Sequence, residues 1–327
     1  MPALLILARR AADYHALVAA ARLPDLSIVS ATDVDTLPAD AGACDLVLGE
    51  PSLISRALAR LTSLRWAQST WAGVEPLLDP SLRRDYVLTN ARGVFGPLMS
   101  EYVFGYILAH ERLMFTKWTA QQERRWDPTP PGRLRGRLIG LLGVGSIGAH
   151  LARTAKHFGM RVRGYTRSSA SCAEIDEYFH GPSTGSGASR AASRDRADLR
   201  RFAADLDYLV SVMPNTAATR HLVDAELLAA LPPRAVFLNP GRGSVVDEAA
   251  LVQALTEGRI AGAVLDVFQT EPLPADHPLW RTPNTIITSH TAALSFPEDI
   301  APIFIENYAR LLAGQPLKYR VDFEAGY

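Results

Sequence analysis

The chain has 327 residues, with 34 Lys+Arg against 34 Asp+Glu for a formal charge of zero, 48% hydrophobic and 21% charged. At roughly 150 residues per domain this length predicts two domains, and 23 Gly and 22 Pro are too few for a collagenous or broadly disordered chain. The balanced charge offers no overall electrostatic footprint for nucleic acid or an anionic membrane surface, and Cys44 and Cys172, in no CxxC or Cys/His pattern, exclude a disulfide framework.

From the N-terminus, the apolar run Leu4-Leu5-Ile6-Leu7 is too short for a signal peptide, and Arg9-Arg10 follow it instead of preceding it. Short β-branched and leucine-rich runs then alternate with helical patterns, which predicts parallel sheets covered by helices. The first series of strands is Leu4–Leu7, Leu26–Val29, Leu46–Leu48, Leu64–Ala67 and Tyr86–Leu88, with a helix over 53–64 carrying Leu53, Ala57, Leu61 and Leu64 on one face. A long helix follows from about Leu98 to Gln121. Its middle (Tyr102, Val103, Phe104, Tyr106, Ile107, Leu108) is apolar nearly all round, which predicts burial on more than one side and a subunit or inter-domain contact. The densest apolar stretch, Tyr102–Ala109, falls far short of the ~20 residues of a membrane span, so a soluble, cytoplasmic protein is expected.

A proline-rich connector, Trp126-Asp127-Pro128-Thr129-Pro130-Pro131-Gly132, separates this helix from a second series of strands. Its Trp126 either packs as a plug or reaches toward an active site. The second series is Leu138–Leu142, Arg161–Tyr165, Tyr208–Val212, Ala235–Leu238, Gly262–Leu265 and Thr285–Thr288. Within it, 181–194 is Gly/Ser/Ala-rich without an apolar period and is expected to be a flexible loop. A C-terminal helix over Glu298–Leu312, stopped by Gly314, closes the chain.

The strand Leu138–Leu142 runs into Gly143-Val144-Gly145-Ser146-Ile147-Gly148 and a helix from about Ala149, with another strand closing a βαβ unit. This is the context a GxGxxG needs. Gly143 permits the tight turn, Gly145 lets a pyrophosphate approach the backbone, and Gly148 lets helix and strand pack closely, while the amides of Ser146, Ile147 and Gly148 open the helix toward the phosphates. About twenty residues on, an NAD site usually carries an acid for the ribose 2′-hydroxyl. Here the sequence is Thr166-Arg167-Ser168. An arginine pairs with a 2′-phosphate and the hydroxyls can donate to it, so NADP(H) is expected over NAD(H), the latter still admitted.

Three further segments stand where strands end, the usual place for sites in open α/β sheets. They are Asn239-Pro240-Gly241-Arg242-Gly243, leading to Asp247 as cap of a helix 248–257 ended by Gly258; Asp266-Val267-Phe268-Gln269-Thr270-Glu271; and Ser289-His290-Thr291-Ala292-Ala293. With the glycine turn, these segments resemble the D-isomer-specific 2-hydroxyacid dehydrogenase family, from about Leu64 to Ala293, and are closest to its glyoxylate/hydroxypyruvate reductase branch. The resemblance implies two Rossmann-like or flavodoxin-like α/β parallel-sheet domains with a cleft between them. Residues 98–292 would bind NAD(P), and 1–97 plus 293–327 would form the substrate domain.

By the same likeness, His290 is the proton donor and acceptor, Glu271 its partner, and Arg242 the anchor for the substrate's carboxylate and carbonyl. Asp266 holds the nicotinamide carboxamide, Met213 and Pro214 lie beside the cofactor ribose, and the loop around Trp71, Ala72 and Gly73 binds the substrate carboxylate through backbone N–H groups. The chemistry suits these types. Hydride transfer to a keto carbon builds negative charge on oxygen, which needs a proton and a steadying cation, and a carboxylate beside an imidazole favours its charged form.

The expected substrate is a short 2-keto or 2-hydroxy acid, in a homodimer through the 98–121 helix, with no nucleic-acid, membrane or metal partner. The competing reading is a non-catalytic NAD(P)-sensing or corepressor-like relative, disfavoured by the intact Arg242/Glu271/His290 set. Phosphite oxidation is a weaker third reading, and Glu271, where a formate dehydrogenase would carry Gln, argues against formate oxidation. One departure from the family pattern is Ser289, where Pro is common before the catalytic His; a looser loop is expected there.

Overall fold

In the computed structural model, which describes residues 1–167, 170–181, 188–324 and 326, the chain divides into two compact units, Met1–Val94 with Ser295–Tyr327, and Phe95–Leu294. The first carries five parallel strands, β1 (Ala3–Leu7), β2 (Ser27–Ala31), β3 (Leu46–Gly49), β4 (Trp66–Ser69) and β5 (Val87–Thr89), in the order β2-β1-β3-β4-β5. Helices α1 (Ala11–Ala20) and α2 (Pro51–Ala57) connect them. The helix expected over 53–64 is shorter and earlier, passing into a 3-10 turn at Leu58–Arg60. Leu53, Ala57, Leu61 and Leu64 are nonetheless all buried, so the apolar spacing reported burial correctly but not helix length.

The C-terminal helix Pro297–Leu312 belongs to this first unit. Phe304 stacks on Trp66 at 5.1 Å, the Asn307 amide donates to Gln68 Oε1 at 3.2 Å, and the Tyr308 hydroxyl donates to the Pro24 carbonyl at 2.8 Å. Gly314 takes φ +63° just beyond the helix, the left-handed stop expected of it.

The second unit is a seven-stranded parallel sheet: β6 (Leu138–Leu142), β7 (Arg161–Thr166), β8 (Glu177–His180), β9 (Tyr208–Ser211), β10 (Val236–Asn239), β11 (Gly262–Leu265) and β12 (Thr285–Ile287), in the order β12-β11-β10-β9-β6-β7-β8. Every residue of β6, β9, β10 and β11 is buried, as expected for strands covered on both faces, and that is why they read as continuous apolar runs. β8 has no counterpart among the predicted strands. It is an edge strand whose Glu177 and His180 are exposed, and charged, short edges carry little hydrophobic signal.

The single helix expected over 98–121 is two: α3 (Gly96–Glu111) and α4 (Met114–Gln122), broken at Leu113 with φ +56°. Tertiary contacts explain the break. The buried Glu111 carboxylate is bonded by Arg137 (2.8 Å) and by the Tyr208 hydroxyl (2.6 Å), and Arg112 reaches the Gly132 carbonyl (3.1 Å). These tie the end of α3 to β6, β9 and the connector, and apolar composition carries no mark of that. The expected burial holds for Val103, Phe104 and Ile107 of α3, but on α4 Met114, Phe115 and Trp118 are 53%, 54% and 63% exposed.

Helices α5 (Ser146–His157), α6 (Ala188–Ala203), α7 (Ala225–Ala230) and α8 (Glu248–Thr256) complete the unit. The loop expected over 181–194 is corrected by α6, which starts at Ala188; 182–187 lie outside the described residues. The segment lacks an early apolar period, yet alanine and arginine have high intrinsic helix propensity, and the helix is anchored further on by buried Leu199, Phe202 and Ala203. Asp247 caps α8 as expected, accepting from the Ala250 amide at 3.1 Å, with Gly258 at φ +65° beyond it. No described helix is long and apolar enough to cross a membrane.

Candidate active site

Strand order decides where the second unit can bind a ligand. From β6 the chain moves outward to β7 and β8, then returns to the other side of β6 with β9, and the loops leaving β6 and β9 therefore diverge and open a crevice at their C-terminal ends. The glycine turn stands there. Gly143 has φ +100°, which only glycine adopts freely. A Cβ on Gly148 would meet the Gly143 carbonyl oxygen at 2.1 Å, whereas one on Gly145 would stand in open space. Close packing thus requires the third glycine, and the space over the second is available to a ligand. Gly145 is the N-cap of α5 and offers no side-chain cap, so the first amides, Ser146, Ile147 and Gly148, end at that space without a partner among the described residues. A diphosphate fits this end of the helix, by charge and by hydrogen-bonding capacity.

Thr166 ends β7, and Arg167 follows it, exposed. Ser168, expected to join them, lies outside the described residues. Met213 and Pro214 follow β9, with Met213 buried and the Pro214 carbonyl accepting from Thr219 at 2.6 Å.

Arg242, Asp266, Glu271 and His290 leave the three adjacent strands β10, β11 and β12. Gly243 lets two of these loops meet, since a Cβ there would fall 1.9 Å from the Phe268 carbonyl carbon. Glu271 is then held by its own loop, Oε1 accepting from the Phe268 amide at 2.9 Å, while Oε2 pairs with His290 Nδ1 at 2.7 Å. The Glu271 hydrogen bond raises the His290 pKa above its ordinary value, against the opposing effects of burial and of the Arg242 charge. Burial works to raise the Glu271 carboxyl, but the bonds from His290 and the Phe268 amide, with the charges of His290 and Arg242, hold it below its ordinary value. The pair therefore favours imidazolium and carboxylate, with Arg242 close enough for its charge to act on both.

His290 itself has φ +56°, an unfavourable conformation for any residue that carries a Cβ. Asp266 enforces it. The Asp266 carbonyl accepts from the His290 amide at 2.8 Å, and its buried carboxylate accepts from the amides of Thr291 (2.8 Å) and Ala292 (2.9 Å) and from the Thr288 hydroxyl. The Tyr102 hydroxyl of α3 reaches Thr288 at 2.8 Å, and burial raises its pKa well beyond the phenol range, so it stays protonated. The looser loop expected from Ser289 is therefore pinned by other means. Tyr102 and Thr288 had no sequence signal as supports, being 186 residues apart.

In the first unit, Trp71, Ala72 and Gly73 form the loop leaving β4, all partly exposed. The Trp71 amide donates to Ser69 Oγ at 2.9 Å, and the Trp71 and Ala72 carbonyls accept from the Ala91 amide (3.1 Å) and the Asn90 side chain (2.9 Å). The amides of Ala72 and Gly73 have no acceptor among the described residues.

Residues 104–292 match the family model described as the D-isomer specific 2-hydroxyacid dehydrogenase, NAD binding domain. The glyoxylate/hydroxypyruvate reductase A of Serratia proteamaculans (strain 568) is 33% identical over 315 residues, 94% of this chain and 93% of that protein. Among solved structures, a family protein from Aeromonas salmonicida subsp. salmonicida A449 aligns with a TM-score of 0.90 at 43% identity, over 98% of this chain and 99% of that one. One from Xanthobacter autotrophicus Py2, in complex with NADPH and MES, aligns with 0.85 at 32% identity, over 100% and 99%.

Proposed function

The chain belongs to the D-isomer specific 2-hydroxyacid dehydrogenase family, and from that premise we propose that it is an NADPH-preferring reductase of short 2-keto acids of the glyoxylate and hydroxypyruvate kind. The product is the D-2-hydroxy acid, or achiral glycolate from glyoxylate. The observation that carries this reading is the His290–Glu271 pair at 2.7 Å beside Arg242, on the same strand ends as the glycine turn.

When bound, the nicotinamide cofactor supplies the hydride. His290 Nδ1 faces Glu271, which leaves Nε2 to hand a proton to the carbonyl oxygen. Glu271 favours the charged form of that imidazole, and its hydrogen bond fixes the ring's orientation. Arg242 pairs its planar fork with the substrate carboxylate and steadies the negative charge developing on oxygen. Ala72 and Gly73 offer their amides to the same carboxylate, with Trp71 limiting side-chain size. The α5 amides would hold the diphosphate, Thr166, Arg167 and Ser168 the 2′-phosphate, Met213 and Pro214 the ribose, and Asp266, which holds the His290 turn, would also bond the carboxamide. NAD(H) is admitted with lower affinity.

We assign residues 98–292 to cofactor binding and 1–97 with 293–327 to the substrate side. The exposed Met114, Phe115 and Trp118 support a homodimer through the 98–121 segment, and the cytoplasm is the proposed location.

The test is the rate of NADPH and NADH oxidation by the purified chain over a panel of 2-keto acids. Turnover of glyoxylate and hydroxypyruvate, faster with NADPH, is expected. Binding of NADPH without turnover of any panel member overturns the reading in favour of a nucleotide sensor.

A further inference from the structure

The second unit has another concavity, at the opposite ends of its strands. Arg137 precedes β6, Arg161 opens β7, Asp207 precedes β9 and Arg234 stands just before β10, so the N-terminal ends of four adjacent strands form one floor. The connector 131–136 and the end of α3 form its wall. The resulting open hollow has a volume of about 730 Å³ and is lined by six arginines, Arg112, Arg133, Arg135, Arg137, Arg161 and Arg234, with Asp207 as its only acid.

Two of the six arginines are neutralised. Arg137 bridges Glu111 (2.8 Å) and Asp207 (3.2 Å), and Arg234 pairs with Asp207 at 2.8 Å. The other four have no carboxylate within ion-pairing distance among the described residues. The Arg112 guanidinium bonds the Gly132 carbonyl, and Arg161 feels Asp176, which Lys156 already holds. Arg133 and Arg135 are exposed and make no hydrogen bond or ion pair among the described residues. Like charges so placed repel one another, and a chain with zero net charge gains nothing in solubility by concentrating them. A multivalent anion removes that repulsion, and guanidinium forks match phosphate oxygens in pairs.

The geometry points to a second anion site here, for a linear chain of two or three phosphates. The lining holds arginines, glycines, a proline and an aspartate but no aromatic ring, so it offers a base nothing to stack on. Its ligand is recognised by its phosphates, whether free or as the tail of a nucleotide. The glycine turn lies at the far end of the same strands, roughly 15–20 Å away for strands of this length, so the hollow and the turn can be filled together. This site is independent of the reductase reading and stands or falls separately from it.

The test is calorimetric titration of the full chain at low ionic strength with tripolyphosphate, with ATP and with inorganic phosphate, each with and without NADPH. One equivalent of tripolyphosphate is expected to bind, with ATP within threefold of it, inorganic phosphate at least tenfold weaker, and no change on adding NADPH. The double variant R133S/R135S should weaken binding at least tenfold, while R56S/R65S, which removes the same charge from the first unit, should leave it unchanged. Absence of saturable binding to the unaltered chain overturns the proposal, as does displacement by NADPH, which would put the anion on the glycine turn. Equal losses in the two double variants overturn it in favour of general surface charge, and ATP binding more than tenfold tighter than tripolyphosphate overturns recognition by phosphate alone.

Discussion

Asp266 offers the sharpest test of how the active-site turn is held. The residue is 1% exposed, and its carboxylate receives two backbone amides and the Thr288 hydroxyl. Asp266→Ala removes both carboxylate oxygens and with them all three of these hydrogen bonds. The Ala292 amide, buried, is then orphaned at about 1–3 kcal/mol, and the small cavity adds to that, whereas Thr291 is exposed and can turn to water. A total near 3 kcal/mol corresponds to a Tm lower by about 6–12 °C for a unit of this size. The left-handed backbone of His290 is itself unfavourable by roughly 1–3 kcal/mol. The Asp266 carbonyl still holds the His290 amide in this variant, but with the bonds to the following amides of Thr291 and Ala292 lost the turn relaxes and the imidazole leaves its place for most of the time. A fall in kcat of about 100-fold is expected. Asp266→Asn is milder, because its oxygen can keep the Ala292 amide while its NH₂ donates to Thr288, which in turn can donate to Tyr102. Here kcat should fall less than about tenfold. Thermal unfolding with steady-state kinetics in NADPH and in keto acid decides the matter. Should Asp266→Ala keep kcat while the KM for NADPH rises more than tenfold, the carboxylate serves the cofactor alone and the anchoring argument is wrong.

Glu271→Gln removes the charge, and weakens the charge-assisted hydrogen bond, that raise the His290 pKa above its ordinary 6.5. Reduction needs the protonated ring, so it declines as pH rises through the folded value, and in the variant that decline should begin at lower pH; the pH profile of kcat/KM reads it. Arg167→Asp should raise the KM for NADPH more than tenfold while leaving NADH within about threefold, because a carboxylate repels a 2′-phosphate and accepts from a ribose hydroxyl. Trp118→Glu places a charge on the exposed face of α4, where the side chain is 63% exposed in the single chain, and should shift a dimer toward monomer in sedimentation velocity, with Tm falling by no more than the lost contribution of dimerisation.

The second unit was legible because its strands are buried on both faces and its loops carry residues of fixed chemical type. β6 and β11 fall on Leu138–Leu142 and Gly262–Leu265 as read, and the glycine turn needed no tertiary information, since its constraint is local backbone geometry. What stayed hidden was decided by partners distant in sequence. The break between α3 and α4 depends on Glu111 meeting Arg137 and Tyr208. The edge strand β8 has polar ends, and the start of α6 lies in a Ser/Ala/Arg segment where propensity and apolar period disagree. At the site, residue types marked Arg242, Glu271 and His290 as candidates. That Asp266 ties down the backbone of His290, Thr291 and Ala292 could not be read, because the bonds run between the ends of two different strands.

The same limit applies to charge. A formal balance of 34 against 34 says that no long-range field favours a polyanion, yet arginines from positions 112 to 234 converge on one hollow. Net charge is a sum over the whole surface, whereas binding responds to charge within about a Debye length, roughly 8–10 Å at physiological salt. In a parallel sheet, neighbouring strands start side by side whatever their separation along the chain. An arginine placed just before each of several strands therefore builds a local cation cluster that no window of the sequence displays. The C-terminal ends of three neighbouring strands of the same sheet, β10, β11 and β12, gather Arg242, Glu271 and His290 by the same geometry. What differs is that a guanidinium, a carboxylate and an imidazole form a recognisable reactive set, while repeated arginines read as ordinary surface until the fold places them together.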